Sequence, residues 1–248
     1  MIIRGTKELL VRYEELQSGD IFLGNLMYQS MKDRILIDLL ERGVKIFPPA
    51  LAQSLNNSKV TQAQVFRQWM IPDTLIINSR ASLMAMISHL NRQQVGRVVT
   101  KEDHSCAGYG IRYWDNIEQI YSQTTLSANA YPFVIQPYVE SYLDIRVIIV
   151  GDYVEAYTRE NPNNFRNNIS TGGVRKGYDL TASQMNFCRR VMKRGKFPYA
   201  HIDIMVLADG NIYLSEIALN GGLKGAKVRR KKIQELKDEL LEREVAQS

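Results

Sequence analysis

Hydrophobic residues fall at helical spacing in some stretches of the chain and at strand spacing in others. Met31, Ile35, Leu39 and Leu40 place one apolar stripe on a helix over Gln29 to Arg42. A short strand, Val44 to Phe47, follows and ends at Pro48-Pro49. The spacing predicts a second helix from Thr61 to Met70, broken by Ile71-Pro72-Asp73-Thr74. Leu75 to Ile77 reads as a strand, and Ser79 as the N-cap of a helix over Ser82 to Asn91. Strands at Gly96 to Lys101 and Ile111 to Trp114 flank a loop of small residues, His104 to Gly110. A helix over Ile117 to Leu126 precedes the strongly apolar strand Pro132 to Tyr138. Gly151-Asp152 predicts a hairpin between Leu143–Val150 and Tyr153–Arg159. A polar loop, Asn161 to Asn168, and a helix, Thr181 to Arg194, come next. Two further strands join through Ala208-Asp209-Gly210-Asn211, a turn signal, and Ile233, Leu236, Leu240 and Leu241 mark a last helix. Strand pairs joined by tight turns predict an α+β fold with antiparallel sheet rather than a doubly wound parallel one.

The last strand pair carries the candidate chemistry. Asp203 stands among Ile202, Ile204, Met205 and Val206; Glu216 stands among Leu214, Ile217 and Leu219. Buried carboxylates are costly unless something cationic meets them. A hairpin folded at Asp209-Gly210 brings the two together, where they can hold a divalent metal or pair with lysine or arginine.

Composition changes this picture little. The chain has 248 residues, 45% hydrophobic and 23% charged, which suits one large or two ordinary domains. No apolar run is long enough for a bilayer, and Arg4, Lys7 and Glu14-Glu15 exclude a signal-peptide reading of the N-terminus. Cys106 and Cys188 form neither a metal motif nor a disulfide framework. A cytoplasmic protein is expected. The net charge of +6 is scattered, and Arg229-Arg230-Lys231-Lys232 opens a helix otherwise rich in acids. A solvated helix face accounts for that run better than a nucleic-acid patch.

Four elements then line up in order. Lys101 ends a strand before the Gly108/Gly110 loop, whose backbone N–H groups can face phosphate. Gln136-Pro137-Tyr138-Val139 closes an apolar strand, where the Pro137 carbonyl and the Val139 N–H can meet an adenine edge. Asp144 and Arg146 follow, and then Phe165-Arg166-Asn167-Asn168 before Gly172-Gly173. With Ile71-Pro72-Asp73-Thr74 and the paired acids, this order resembles the ATP-grasp superfamily and, within it, the RimK-type α-L-glutamate ligases. The resemblance runs from about Lys59 to Lys227. It implies two α+β subdomains clasping ATP, residues 59–138 and 139–248, behind a shortened N-terminal lobe, residues 1–58.

The resemblance also implies roles. Lys59 and Lys101 contact the ATP phosphates; Gln136, Pro137, Tyr138 and Val139 hold adenine, and Asp144 lies near the ribose. Arg166, Asn167 and Asn168 face the γ-phosphate, with Arg166 and Lys101 as the catalytic cations. Asp203 and Glu216 ligate two Mg²⁺ ions, with Mn²⁺ an alternative. The family has a third ligand, Asn, two residues after the glutamate; here that position is Ala218, and Asn220 is the candidate replacement. Pro137 stands where many relatives have an acid.

The implied activity is ATP-dependent carboxylate–amine ligation through an acyl phosphate, adding glutamate or another amino acid to a peptide, protein or small-molecule acceptor. The alternative is a non-catalytic or partner-dependent ATP-binding subunit. No membrane or nucleic-acid partner is expected, and a homo-oligomer is compatible with the sequence.

Overall fold

Three strands of three residues each open the chain. β1 (Ile2–Arg4), β2 (Ile21–Leu23) and β3 (Lys45–Phe47) lie side by side and parallel, with Ile3 opposite Phe22 and Phe22 opposite Ile46. α1 (Gly5–Val11) crosses from β1 to β2, and α2 (Lys32–Glu41) crosses from β2 to β3. Ile3, Leu9, Phe22, Ile35, Leu36 and Leu39 form their own core. The sequence pattern did not predict β1, α1 or β2, because a three-residue strand gives too little alternation to read. The buried stripe of α2 also differs from the predicted one. Leu36 is buried, whereas Met31 and Leu40 are 45% and 51% exposed.

The structure, a computed structural model, describes residues 1–27, 31–56, 58–105, 110–124, 131–165, 167 and 172–246. The predicted helix ends at Gln29 and at Thr125-Leu126 lie outside these residues.

Two short helices lead into the rest of the chain, α3 (Ala50–Leu55) and α4 (Lys59–Val65). α4 starts two residues before the predicted helix because the Ser58 hydroxyl oxygen accepts from the Thr61 N–H at 3.1 Å. Gln62 on α4 ties it to a distant strand. Its amide nitrogen donates to the Ile217 carbonyl at 2.8 Å, and its amide oxygen accepts from the Ile217 N–H at 3.0 Å.

A four-stranded sheet follows, in the order β4 (Leu75–Ile77), β7 (Phe133–Pro137), β5 (Val98–Glu102), β6 (Ile111–Trp114). Every pair in it is antiparallel. α5 (Arg80–Arg92) and α6 (Ile117–Thr124) cover one face, burying Ile77, Leu83, Leu90, Val98, Trp114 and Ile120. Alternation turns Val99, Lys101, Ile111 and Gln136 to the other face.

The second antiparallel sheet has five strands. Their order is β10 (Val174–Gly177), β9 (Tyr153–Glu160), β8 (Leu143–Val150), β11 (Tyr199–Val206), β12 (Ile212–Ala218). α7 (Ala182–Gly195) begins with a capping box between Thr181 and Gln184. Its Phe187, Cys188 and Val191 join Ile145, Val147, Ile202 and Ile204 in the largest core. α8 (Arg230–Ala246) closes the chain. The fold is thus α+β with antiparallel main sheets, as the hairpin signals predicted, and with a parallel N-terminal sheet in addition. Among the described residues no helix is long and apolar enough to cross a membrane.

Candidate active site

The cavity lies between the facing surfaces of the two antiparallel sheets. Its volume is about 420 Å³. From the small sheet Val99, Lys101, Ile111 and Gln136 face it; from the large sheet Asp144, Arg146, Tyr157, Arg159, His201, Asp203, Met205 and Glu216 do. The register explains the second set. Asp203 is paired with Arg146 on β8 and with Glu216 on β12, and Arg146 is paired with Tyr157 on β9. Directly paired residues share a face, so one row across the sheet carries Tyr157, Arg146, Asp203 and Glu216.

A bulge sets the position of Glu216. Asp203 pairs with Glu216 and Ile204 with Leu214, so Ser215 is an extra residue. Leu214 and Ile217, three apart, are therefore both fully buried. The Ser215 carbonyl accepts from Lys101 Nζ at 3.4 Å. Lys59 Nζ lies 3.6 Å from Glu216 Oε1 and also donates to the Ser105 carbonyl. Lys59 thus joins the stem of the small-residue loop to the second carboxylate. Burial pushes the Lys101 ammonium down to about 8, against the pull of Glu216.

Asp203 meets two arginines. Arg146 donates from Nε to Oδ1 and from Nη2 to Oδ2, both at 2.6 Å, and Arg159 Nη2 lies 3.0 Å from Oδ2. Burial alone raises the Asp203 carboxyl, but Arg146 and Arg159 more than offset it and hold it well below the usual range. Arg159 also donates to Asp144 Oδ1 from Nη2 at 2.6 Å and from Nε at 3.2 Å. Burial dominates at Asp144 and moves its carboxyl upward despite Arg159. The sequence reading named Arg146 only within a motif and Arg159 only as a strand end. The available signal was their spacing, since Arg146 and Arg159 alternate onto the same sheet faces as Asp144 and Tyr157.

At the other end the cavity is apolar. Val99, Ile111, Met205 and the segment Pro137 to Val139 form a slot. Gln136, beside this slot, donates from Nε2 to Thr74 Oγ1 at 2.9 Å, while Thr74 Oγ1 donates to the Ile71 carbonyl at 2.6 Å. The Ile71–Thr74 segment therefore backs the hinge. Tyr138 packs edge-on against Tyr113 at 4.9 Å, and Tyr113 lies 5.9 Å from Phe165 of the polar loop. Phe165 thus reaches across the cleft to the small sheet. Asn167 lines the cavity, whereas Arg166 and Asn168, like the loop residues 106–109, lie outside the described residues.

The structure places Asn220 at the cavity edge, but its Oδ1 accepts from Lys237 Nζ of α8 at 2.7 Å. Lys237 Nζ also donates to the Leu219 carbonyl at 2.9 Å. His201, two residues before Asp203, has a buried Nδ1 without a hydrogen-bond partner. Burial, then Lys237 and Arg146, push its imidazole down to about 4.

Comparison with known proteins identifies the family and the fold. The model of the RimK-like ATP-grasp domain matches residues 56–242, about three quarters of the chain. No curated protein sequence matches it. Among solved structures, D-cycloserine synthetase DcsG is similar with a TM-score of 0.64 at 14% identity, over 90% of this chain and 83% of that one. The D-alanine–D-alanine ligase from Bacillus anthracis, complexed with ATP, has a TM-score of 0.64 at 17% identity, over 96% of this chain and 82% of that one. The ATP-grasp ligase PsnB, complexed with a phosphomimetic variant of its minimal precursor, Mg and ADP, has a TM-score of 0.57 at 18% identity, over 95% of this chain and 70% of that one. At such identities the structural likeness establishes the fold, and the family model establishes the family. The chain belongs to the RimK-like ATP-grasp family and is an ATP-grasp ligase.

Proposed function

We propose that the protein joins a carboxylate to an amine in two steps, with ATP as the activating substrate and an acyl phosphate between them. The observation that carries this reading is one cavity with an apolar slot at the Pro137–Val139 hinge, two lysines, and two carboxylates on paired strands. The slot suits adenine, with the Pro137 carbonyl and the Val139 N–H at its edge. Asp144 lines the same cavity and is fixed by Arg159, which supports its placement near the ribose. Lys59 and Lys101 neutralise phosphate charge. Arg166, Asn167 and Asn168 are assigned to the γ-phosphate by the family resemblance.

Asp203 and Glu216 fit a Mg²⁺ ion that arrives with the nucleotide. They are hard oxygen donors on neighbouring strands, and Mg²⁺ is commonly held by one or two carboxylates together with substrate phosphates. Bound there, the ion contributes charge neutralisation of the phosphates.

In the first step a substrate carboxylate oxygen attacks the γ-phosphorus and ADP leaves. In the second an amine attacks the acyl carbon, phosphate leaves, and the nitrogen releases a proton. Neither step requires a protein nucleophile. The chain's own residues orient the phosphates and exclude water from the acyl phosphate. We assign the acceptor to the amino-acid and peptide class. The ATP-grasp ligase PsnB, complexed with a precursor, and the macrocyclase MdnC, bound with the precursor peptide MdnA, share this fold and support that class. We read residues 1–58 as a short N-terminal lobe, 59–138 as the first subdomain and 139–248 as the second. The cores of the parallel N-terminal sheet and of the small antiparallel sheet support the first two units, while the largest core joins all three through Leu23, Phe47, Leu55, Phe66 and Val134.

The test is a screen of ADP release against pooled amino acids and peptides, with mass spectrometry of the products. We expect ADP and phosphate to appear with one acceptor class and to vanish in Asp203→Ala. Release of AMP instead of ADP, or no nucleotide binding at all, refutes the reading.

A further inference from the structure

The loop after β12 is fastened from behind by the last helix. Lys237 is 5% exposed, donates to the Leu219 carbonyl and to Asn220 Oδ1, and lies 4.4 Å from the Tyr199 ring centroid. No ion pair among the described residues includes it. A buried ammonium without a counter-ion is expensive, so its hydrogen bonds to these two oxygens must hold it. The Asn220 oxygen is the acceptor of a 2.7 Å charge-assisted bond.

The oxygen donors that remain are few. Among the described residues no group of three or more His, Cys, Asp or Glu is arranged to hold an ion. A carboxylate has about four lone-pair directions. Three at Asp203 face guanidinium nitrogens at 2.6, 2.6 and 3.0 Å. Glu216 is the more open of the pair, its side chain 33% exposed. Ala218, on the same side of β12 at the cavity, carries no donor. Each Mg²⁺ needs about six oxygens, and phosphates and water can complete one such shell on two carboxylates. The charge a second ion could bring is already present in fixed form. Arg146 and Arg159 stand on Asp203, and Lys59 and Lys101 stand beside Glu216.

We propose that this chain holds a single divalent cation with its nucleotide, on Asp203 and Glu216, and that Lys237 keeps the Asn220 oxygen from a second ion. The inference rests on the nucleotide and metal reading above. Lys237 acts in it as a positioning residue, through Asn220.

The probe is Mn²⁺, which accepts the same oxygen ligands as Mg²⁺. The full chain is saturated with a non-hydrolysable ATP analogue, whose occupancy is measured separately by calorimetry. Free Mn²⁺ is followed by electron paramagnetic resonance. We expect one Mn²⁺ per bound nucleotide in the native chain. Ala218→Asn adds an oxygen donor beside Glu216 and should raise the count to two. Lys237→Met frees the Asn220 oxygen and should add a second, weaker site. Two ions in the native chain, or one ion in a folded Ala218→Asn variant, overturn the inference while leaving the nucleotide reading in place. If Lys237→Met does not fold, the native and Ala218→Asn counts decide alone. If Asp203→Asn and Glu216→Gln leave Mn²⁺ affinity unchanged although nucleotide binds, the metal reading itself falls and takes the inference with it.

Discussion

Replacing Arg159 by Met should unbalance the buried charge cluster of Arg159, Asp144 and Asp203. Arg159 is 7% exposed, Asp144 8% and Asp203 7%. Arg159 makes both guanidinium contacts to Asp144 and one to Asp203, whereas Arg146 still holds Asp203 in its absence. The loss therefore falls mainly on Asp144, left as a buried carboxylate without its cation. Removing one partner of a buried pair costs about 3–5 kcal/mol. For a chain of this size that is a fall in Tm of about 6–20 °C. The pH dependence has a definite sign. Burial already raises the Asp144 carboxyl, and removing Arg159 raises it further. A carboxyl raised above its unfolded value contributes stability below the unfolded pKa and loses it as pH rises through the folded one. The deficit of Arg159→Met relative to the native chain should therefore grow from about pH 4 upward. Adding Asp144→Asn should recover much of it, because deleting both charges removes the unpaired group. Urea denaturation of the native chain, both single variants and the double variant across pH 4 to 8 makes the measurement. A loss below about 1 kcal/mol for Arg159→Met at neutral pH, typical of a surface pair, refutes the reasoning.

Three further outcomes follow from the site. Lys101 has its ammonium lowered from 10.5 to about 8 by burial, and phosphate favours its charged form. ADP affinity measured by calorimetry should fall as pH rises above about 8, by up to tenfold per unit, and Lys101→Met should flatten that slope. In the nucleotide-free chain the same group binds fewer protons folded than unfolded between 8 and 10.5, so its contribution to stability rises with pH there. Gln62→Leu leaves the Ile217 N–H and carbonyl unpaired; chemical denaturation should show a loss of about 2–5 kcal/mol, with weaker ADP binding because Lys59 rides on the same helix. A Cβ at Gly221 meets the His201 ring at 2.7 Å, whereas one at Gly222 meets nothing within 4 Å. Gly221→Ala should cost about 1–3 kcal/mol by thermal denaturation, and Gly222→Ala close to none.

The pattern of the site is partly local and partly not. The Asp203–Glu216 pair was legible because Asp209-Gly210 forces the chain back on itself; Gly210 has a φ of +84°, which glycine adopts freely. The Ser79 and Thr181 caps were legible or nearly so, since they depend on residues three positions away. The bulge at Ser215 was not, because one inserted residue leaves the composition of the strand unchanged while reversing which positions share a face. Nor were β1 and β2 of the N-terminal parallel sheet, whose three residues each are too short for periodicity to declare them, although β3 was read at Val44 to Phe47.

What the sequence determined by itself was the set of elements long enough to show a period, the turns with glycine and aspartate, and the order of motifs that marks the family. The tertiary structure alone decided which charges meet. Arg159 reaches Asp203 only because β9 pairs with β8 and β8 with β11 in one register, and Lys237 reaches Asn220 only because α8 returns to the loop after β12. The physical reason is that hydrogen-bonded turns and helical spacing act over a few residues, while the partner of a buried charge is chosen by packing across the whole fold.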